Sequence, residues 1–226
     1  MTPIQQNPPA PTEVRSRSRR PLPVAAASAL IVVAGFTVGI GTQMLQGVLP
    51  DSWGVLANSG VMWALTAFAL GTLMPSLRWA IAGGAIQLVI ASTTYYMAVG
   101  WFEGINSNSR GAIIWSIAGI LAGSLFGSAG HVCISTPNWR PQTLALVAGT
   151  LIGEGIHLGV FVGNPDLRPA GALELIAGSA LAIGFVTRPT PHHPAHAKLI
   201  STGILAAAAT FVLLAVHVIN AAFANV

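Results

Sequence analysis

Seven stretches of mostly apolar residues, each about twenty long and parted by short polar breaks, constrain this chain more than any other feature. A helix rising 1.5 Å per residue needs about 20 apolar residues to cross a hydrocarbon layer ~30 Å thick. The stretches run approximately Val24–Leu45, Val55–Met74, Trp79–Val99, Ala112–Val132, Thr143–Val162, Ala170–Thr187 and Leu199–Phe223. The gaps between them hold helix breakers and caps: Pro50-Asp51-Ser52, Pro75-Ser76, Asn106-Ser107-Asn108-Ser109, Pro137-Asn138, Asn164-Pro165-Asp166 and Pro189-Thr190-Pro191. Only 7% of the residues are charged, against about 25% in soluble domains, so water is not the main solvent. The expected fold is an all-α integral membrane protein, a bundle of about seven transmembrane helices forming a single polytopic domain over residues 24–226.

The net charge of +4 is not spread evenly, because Arg15, Arg17, Arg19 and Arg20 lie in one N-terminal cluster. Such a cluster suits an anionic lipid surface, and nucleic acid is not an expected partner. Residues 1–23, rich in Pro, Gln, Ser and Arg, lack the apolar content to offset the entropy of ordering and read as a disordered basic cytoplasmic tail. Basic residues before an apolar run also fit a signal peptide, but Val24–Leu45 exceeds the roughly 7–15 residues of a signal core, so cleavage is not expected. The single cysteine, Cys133, excludes an intrachain disulfide.

Orientation follows from Lys and Arg. With the N-terminus in the cytoplasm, Arg15, Arg17, Arg19, Arg20, Arg78, Arg140, Arg188 and Lys198 fall inside, and only Arg110 and Arg168 fall outside. The C-terminus then faces outward, and the expected location is the plasma membrane. Trp79 and Trp139 mark the inner interface, while Trp53, Trp101 and Trp115 mark the outer one; Trp63 alone sits within a span. Lipid supplies no hydrophobic drive between helices, so small residues must let backbones approach. Gly119, Gly123 and Gly127, Gly149 with Gly153, Gly155 with Gly159 and Gly163, and Gly35 with Gly39 form such faces. They serve packing within the bundle or, alternatively, a homo-oligomer or a membrane protein partner.

Ionisable groups inside a span need company or water. Glu154 lies fourteen residues beyond Arg140, ~20 Å up the fifth span. His157 follows it by three, on the same face, and Thr150 stands a turn below. Glu174 enters the sixth span, and His217 lies near the outer end of the seventh. Gln43, Gln46, Asn58, Tyr95 and Tyr96 also belong to the outer half, whereas the inner half offers little beyond Gln87 and His131. This asymmetry suggests a hydrated cleft open to the outside. The ligand-contact candidates are Glu154, His157, Glu174, His217, Asn58, Tyr95 and Gln43; the opposing reading makes Glu154 a neutral acid bonded to His157.

Other constellations carry less. Glu154-Gly155-Ile156-His157 has a Glu-x-x-His spacing, but carboxylate-bridged metal bundles use two copies with further carboxylates. The histidines at His192, His193 and His196 read as a solvated turn. Gly127-Ser128-Ala129-Gly130 is similar to the nucleophile motif of rhomboid-type intramembrane proteases, yet the histidines available as its base lie mostly at the other face or in a loop. No metal, no cofactor and no catalytic residue is expected.

The run Leu49-Pro50-Asp51-Ser52-Trp53-Gly54-Val55-Leu56-Ala57-Asn58-Ser59-Gly60, followed by Trp63, resembles a stretch in small multi-pass membrane proteins of actinobacteria. That resemblance implies a bacterial plasma-membrane protein and transfers no activity. Ala25 and Ala29 also resemble the small-residue docking face of the substrate-binding membrane subunits of energy-coupling-factor transporters, which bind vitamins in an outward cavity but usually have six helices. The expected function is binding or transport of a small solute through an outward-facing polar cleft. The alternative is a non-catalytic membrane interaction or assembly protein built on the glycine faces.

Overall fold

The computed structural model describes residues 22–104, 109–187 and 195–224. The basic tail, His192 and His193 lie outside the described residues, as do the side chains of His196 and His217. Eight α-helices of the described chain follow in order: α1 (Val24–Val48), α2 (Asp51–Ala57), α3 (Gly60–Gly71), α4 (Leu77–Glu103), α5 (Ser109–Ser135), α6 (Arg140–Ile156), α7 (Arg168–Thr187) and α8 (Ala195–Ala224). No strand occurs among the described residues. Seven segments are long and apolar enough to cross a membrane, with α2 and α3 together forming the second. The chain is therefore an all-helical, multi-pass membrane protein whose environment is a lipid bilayer.

Burial agrees with that solvent. Large apolar side chains such as Val33, Ile113, Leu121, Ile176 and Phe211 point away from the bundle, an inside-out pattern that water would penalise. The interior is small-residued, and α3 sits at its centre. Val61, Ala64 and Ala67 of α3 pack with Leu88 of α4, Phe126 of α5, and Val147 and Leu151 of α6.

Most of the glycine faces are consumed inside the chain, while a Cβ on Gly159 or Gly163 would meet nothing within 4 Å. On the α4–α5 seam, Gly84 and Gly123 face each other, and a Cβ on either would overlap the other's carbonyl oxygen. Gly127 meets Ala80 and Gly71 the same way, while Gly35 and Gly39 of α1 lie on α4. Gly149 and Gly153 lie on α8, and Gly155 on α7. Bundle packing thus accounts for the faces built on Gly35, Gly84, Gly123, Gly127, Gly149 and Gly155.

Two departures from regular helix matter for the site. The second span, expected to be one helix, is broken at Asn58 and Ser59. Asn, Ser and Gly in sequence compete with helical hydrogen bonding and favour capping, so α2 ends at Ala57 and Ser59 becomes the N-cap of α3, accepting from Met62 N–H at 3.1 Å. The fifth span changes character after Glu154: His157–Phe161 winds as a π-turn, with Val162 N–H donating to His157 O at 3.1 Å. Single π-turns inside helices recur at functional sites.

Candidate functional site

A break at membrane depth exposes backbone groups that lipid cannot satisfy, so protein must do it. Glu154 of α6 reaches the start of α3, where Gly60 N–H donates to its Oε1 at 3.2 Å and Val61 N–H to its Oε2 at 2.8 Å. A carboxyl group at a helix N-terminus also meets the positive end of the helix dipole. Ser59 Oγ–H donates to Glu174 Oε1 of α7 at 3.1 Å. On the other side of the break, Ala57 O accepts from Thr42 Oγ1 at 3.1 Å and from Trp63 Nε1–H at 3.3 Å, while that indole N–H also donates to Thr42 Oγ1 at 3.1 Å. Side chains from α1, α3, α6 and α7 therefore close around residues 57–61, holding three backbone groups and the Ser59 hydroxyl.

Glu174 is completely buried, and its Oε2 has no hydrogen-bond partner among the described residues. It is the least satisfied group at the break, and a buried polar atom without a partner is uncommon in folded proteins. Ser59 joins the two carboxyl groups, since its hydroxyl lies against Glu154 as well as Glu174. Such a bridge can pass a proton between them.

Beside the break lies a cavity of about 300 Å³. Asn58, Gly60 and Trp63 form the wall at the break. From α4 come Leu88, Tyr95, Tyr96, Val99 and Glu103, and from α5 come Trp115, Ala118 and Ala122. Glu103, near the end of α4, is exposed and marks the mouth. Gln43 Nε2–H of α1 donates to Glu103 Oε1 at 2.5 Å. The chain turns sharply after it, at Gly104, whose φ of 67° is open to glycine without strain.

The residues singled out from sequence thus divide. Asn58 and Tyr95 line the cavity, Gln43 touches it through Glu103, and Glu154 and Glu174 meet behind Gly60 and Ser59. His157 is half-buried at the start of the π-turn; among the described residues, Glu154 bonds the amides of α3 rather than His157. His217 is on α8, its side chain outside the described set. Sequence reasoning missed Ser59, Glu103 and the inward role of Trp115, which had been placed at the lipid interface. The Asn58-Ser59-Gly60 capping pattern was the available signal for the break. Nothing one-dimensional marks Glu103, because a carboxylate at a helix end is ordinary.

The indole N–H of Trp63 offers a local check. Trp63→Phe keeps the ring and removes both donations, so thermal stability in detergent is expected to fall by about 1 kcal/mol. Thr42→Val should produce a similar loss, and the double variant should lose less than the sum, because the two groups share one acceptor.

Compared with known proteins, residues 18–223 match a family of unknown function, DUF6518. The chain belongs to that family. No curated protein and no solved structure matches it. The family match spans all seven membrane-crossing segments and the break in the second, and it brings no activity with it. Neither an actinobacterial source nor kinship with energy-coupling-factor subunits follows from it.

Proposed function

We propose that this DUF6518 member is a plasma-membrane protein that binds a small solute in the cavity beside the α2–α3 break and passes it toward the other side. One observation carries the reading: the cavity and the break share Asn58 and Gly60. A solute in the cavity would meet the one place where the second span's backbone is held by side chains from other helices rather than by its own ladder. Interrupted helices at solute sites are a recurring device of transporters, because irregular backbone is tolerated at membrane depth only inside protein or along a cavity. With the N-terminus inside, as the distribution of Lys and Arg favours, Glu103 and the mouth face outward. Asn58 and Tyr95 are then direct contacts, Gln43 acts by holding Glu103, and Glu154 and Glu174 act by holding the break. His157 and His217 are assigned no contact.

The test is ligand-induced stabilisation of purified protein against a panel of small cationic, anionic and neutral solutes. A ligand at one hundred times its Kd adds about 2.7 kcal/mol to the folded state. At least one class is expected to protect the parent and to lose that effect in Ala118→Phe, which fills the cavity from α5. A flat panel with monodisperse parent protein would remove the solute-handling reading. The rival, an assembly protein, is weakened by the use of its glycine faces within the bundle.

A further inference from the structure

The chemistry of the cavity wall points to a class of ligand, an inference that rests on the solute-binding reading above. Four of the lining side chains are large aromatics: Trp63, Tyr95, Tyr96 and Trp115. Among the described residues, Glu103 is the only carboxylate in the lining, and no Lys, Arg or His lines the cavity. Glu103's hydrogen-bond partner is the uncharged amide of Gln43, and no ion pair neutralises it among the described residues. Among the described residues, the site therefore holds a carboxylate without a counter-charge.

The rings are arranged as walls rather than as a stack. Trp63 and Tyr95 meet with centroids 6.0 Å apart at 75°, and Tyr95 and Tyr96 at 5.2 Å and 84°. Successive perpendicular rings let one ligand centre meet more than one aromatic surface. Trp63 cannot swing its donor toward a ligand, because its indole N–H is committed to Thr42 and Ala57 O. What it offers the cavity is ring. A cation over aromatic faces is attracted by their quadrupoles, and a nearby carboxylate adds to that attraction.

Competing ligand classes fit less well. An anion would meet Glu103 with no basic residue to offset it. A purely apolar guest would make no use of the Asn58 amide or the Glu103 carboxylate. A volume of about 300 Å³ is at the small end of ligand pockets and suits a small guest. We propose that the cavity is a site for a small organic cation of the alkylammonium type, held by Trp63, Tyr95, Tyr96 and Trp115 with Glu103 as its counter-ion. The same head group could arrive as a free solute or on a choline lipid.

The experiment is calorimetric titration of the full chain in nanodiscs of phosphatidylglycerol with choline chloride. The controls are sodium chloride and the neutral analogue of choline in which carbon replaces nitrogen. Choline is expected to bind at least roughly tenfold tighter than its isostere. Glu103→Gln, on an exposed position that should not disturb folding, is expected to weaken choline roughly tenfold and leave the isostere unchanged. Tyr95→Leu should weaken choline by a similar factor, with Tyr95→Phe restoring it. Equal binding of choline and isostere would overturn the cation assignment and leave solute binding standing. No binding by either, together with a flat solute panel and equal protection in nanodiscs of phosphatidylglycerol and of phosphatidylcholine, would overturn both. If free choline fails, nanodiscs of phosphatidylcholine decide: greater thermal protection than in phosphatidylglycerol, lost in Glu103→Gln, supports the same site with a lipid source, and equal protection overturns the proposal.

Discussion

Gly123→Ala is expected to lower the thermal stability of the bundle by about 1–3 kcal/mol, and Gly123→Leu to prevent its folding. The added Cβ would overlap the Gly84 carbonyl oxygen, which belongs to a helix backbone and cannot rotate away. The α4 and α5 axes would have to separate, and that movement would also loosen Gly119 against Leu88 and Gly127 against Ala80. In water some of the loss would be recovered by hydrophobic burial elsewhere; in lipid it is not, because tails and side chains are equally apolar and close contact is itself the attraction. The contrast is Gly203→Ala on α8, where a Cβ meets nothing within 4 Å. Relief from glycine's poor helix propensity should make that variant neutral or slightly stabilising. Unfolding midpoints and gel-filtration profiles of the two variants in one detergent measure the difference. If Gly123→Ala behaves like Gly203→Ala, the α4–α5 packing described above is wrong.

Glu154→Gln is expected to loosen the start of α3 without loosening the rest of the bundle. The carboxyl accepts from two backbone amides, Gly60 and Val61; a carboxamide can accept from one and must turn its NH₂ toward the other. Hydrogen bonds to charged groups are worth about 1.5–3 kcal/mol, so the opening equilibrium at one of these amides should rise ~10–100-fold. Global stability is a poorer gauge, since replacing a carboxyl group within a span also removes an insertion penalty of roughly 2.5–3.5 kcal/mol at a helix centre. The two effects are of similar size and opposite sign. Site-resolved amide exchange at Gly60 and Val61 has no such offset and is the measurement to make. Ser59→Ala should add to the effect at Met62, which loses its cap. Unchanged exchange at all three amides in both variants would dismiss the Glu154–Ser59 clasp.

Much of the architecture was legible in one dimension, for a physical reason. Lipid admits few polar groups, so spans announce themselves by length, and Pro50, Pro75, Pro137, Pro165 and Pro189 punctuate them. The same scarcity made Glu154 and Glu174 conspicuous. Their partners were not legible. Helical spacing puts Glu154 and His157 on one face, which is all that the opposing reading of a bonded pair rests on, yet the Glu154 carboxyl turns to amides ninety-three and ninety-four residues away in the chain. Trp115 was read as a marker of the lipid interface because tryptophans usually are, whereas α5 turns it into the cavity.

Hydropathy alone, then, determined that this chain lives in a bilayer, roughly where it crosses and which few polar side chains had to find company there. Which company they found depended on the close helix approaches that Gly84, Gly123, Gly149 and Gly155 permit. Those contacts bring Glu154, Ser59 and Glu174 together and leave the aromatic cavity beside them. Short-range pattern reports how each residue suits its solvent; only the assembled bundle decides which backbone groups are left exposed and which distant side chain stands close enough to satisfy them.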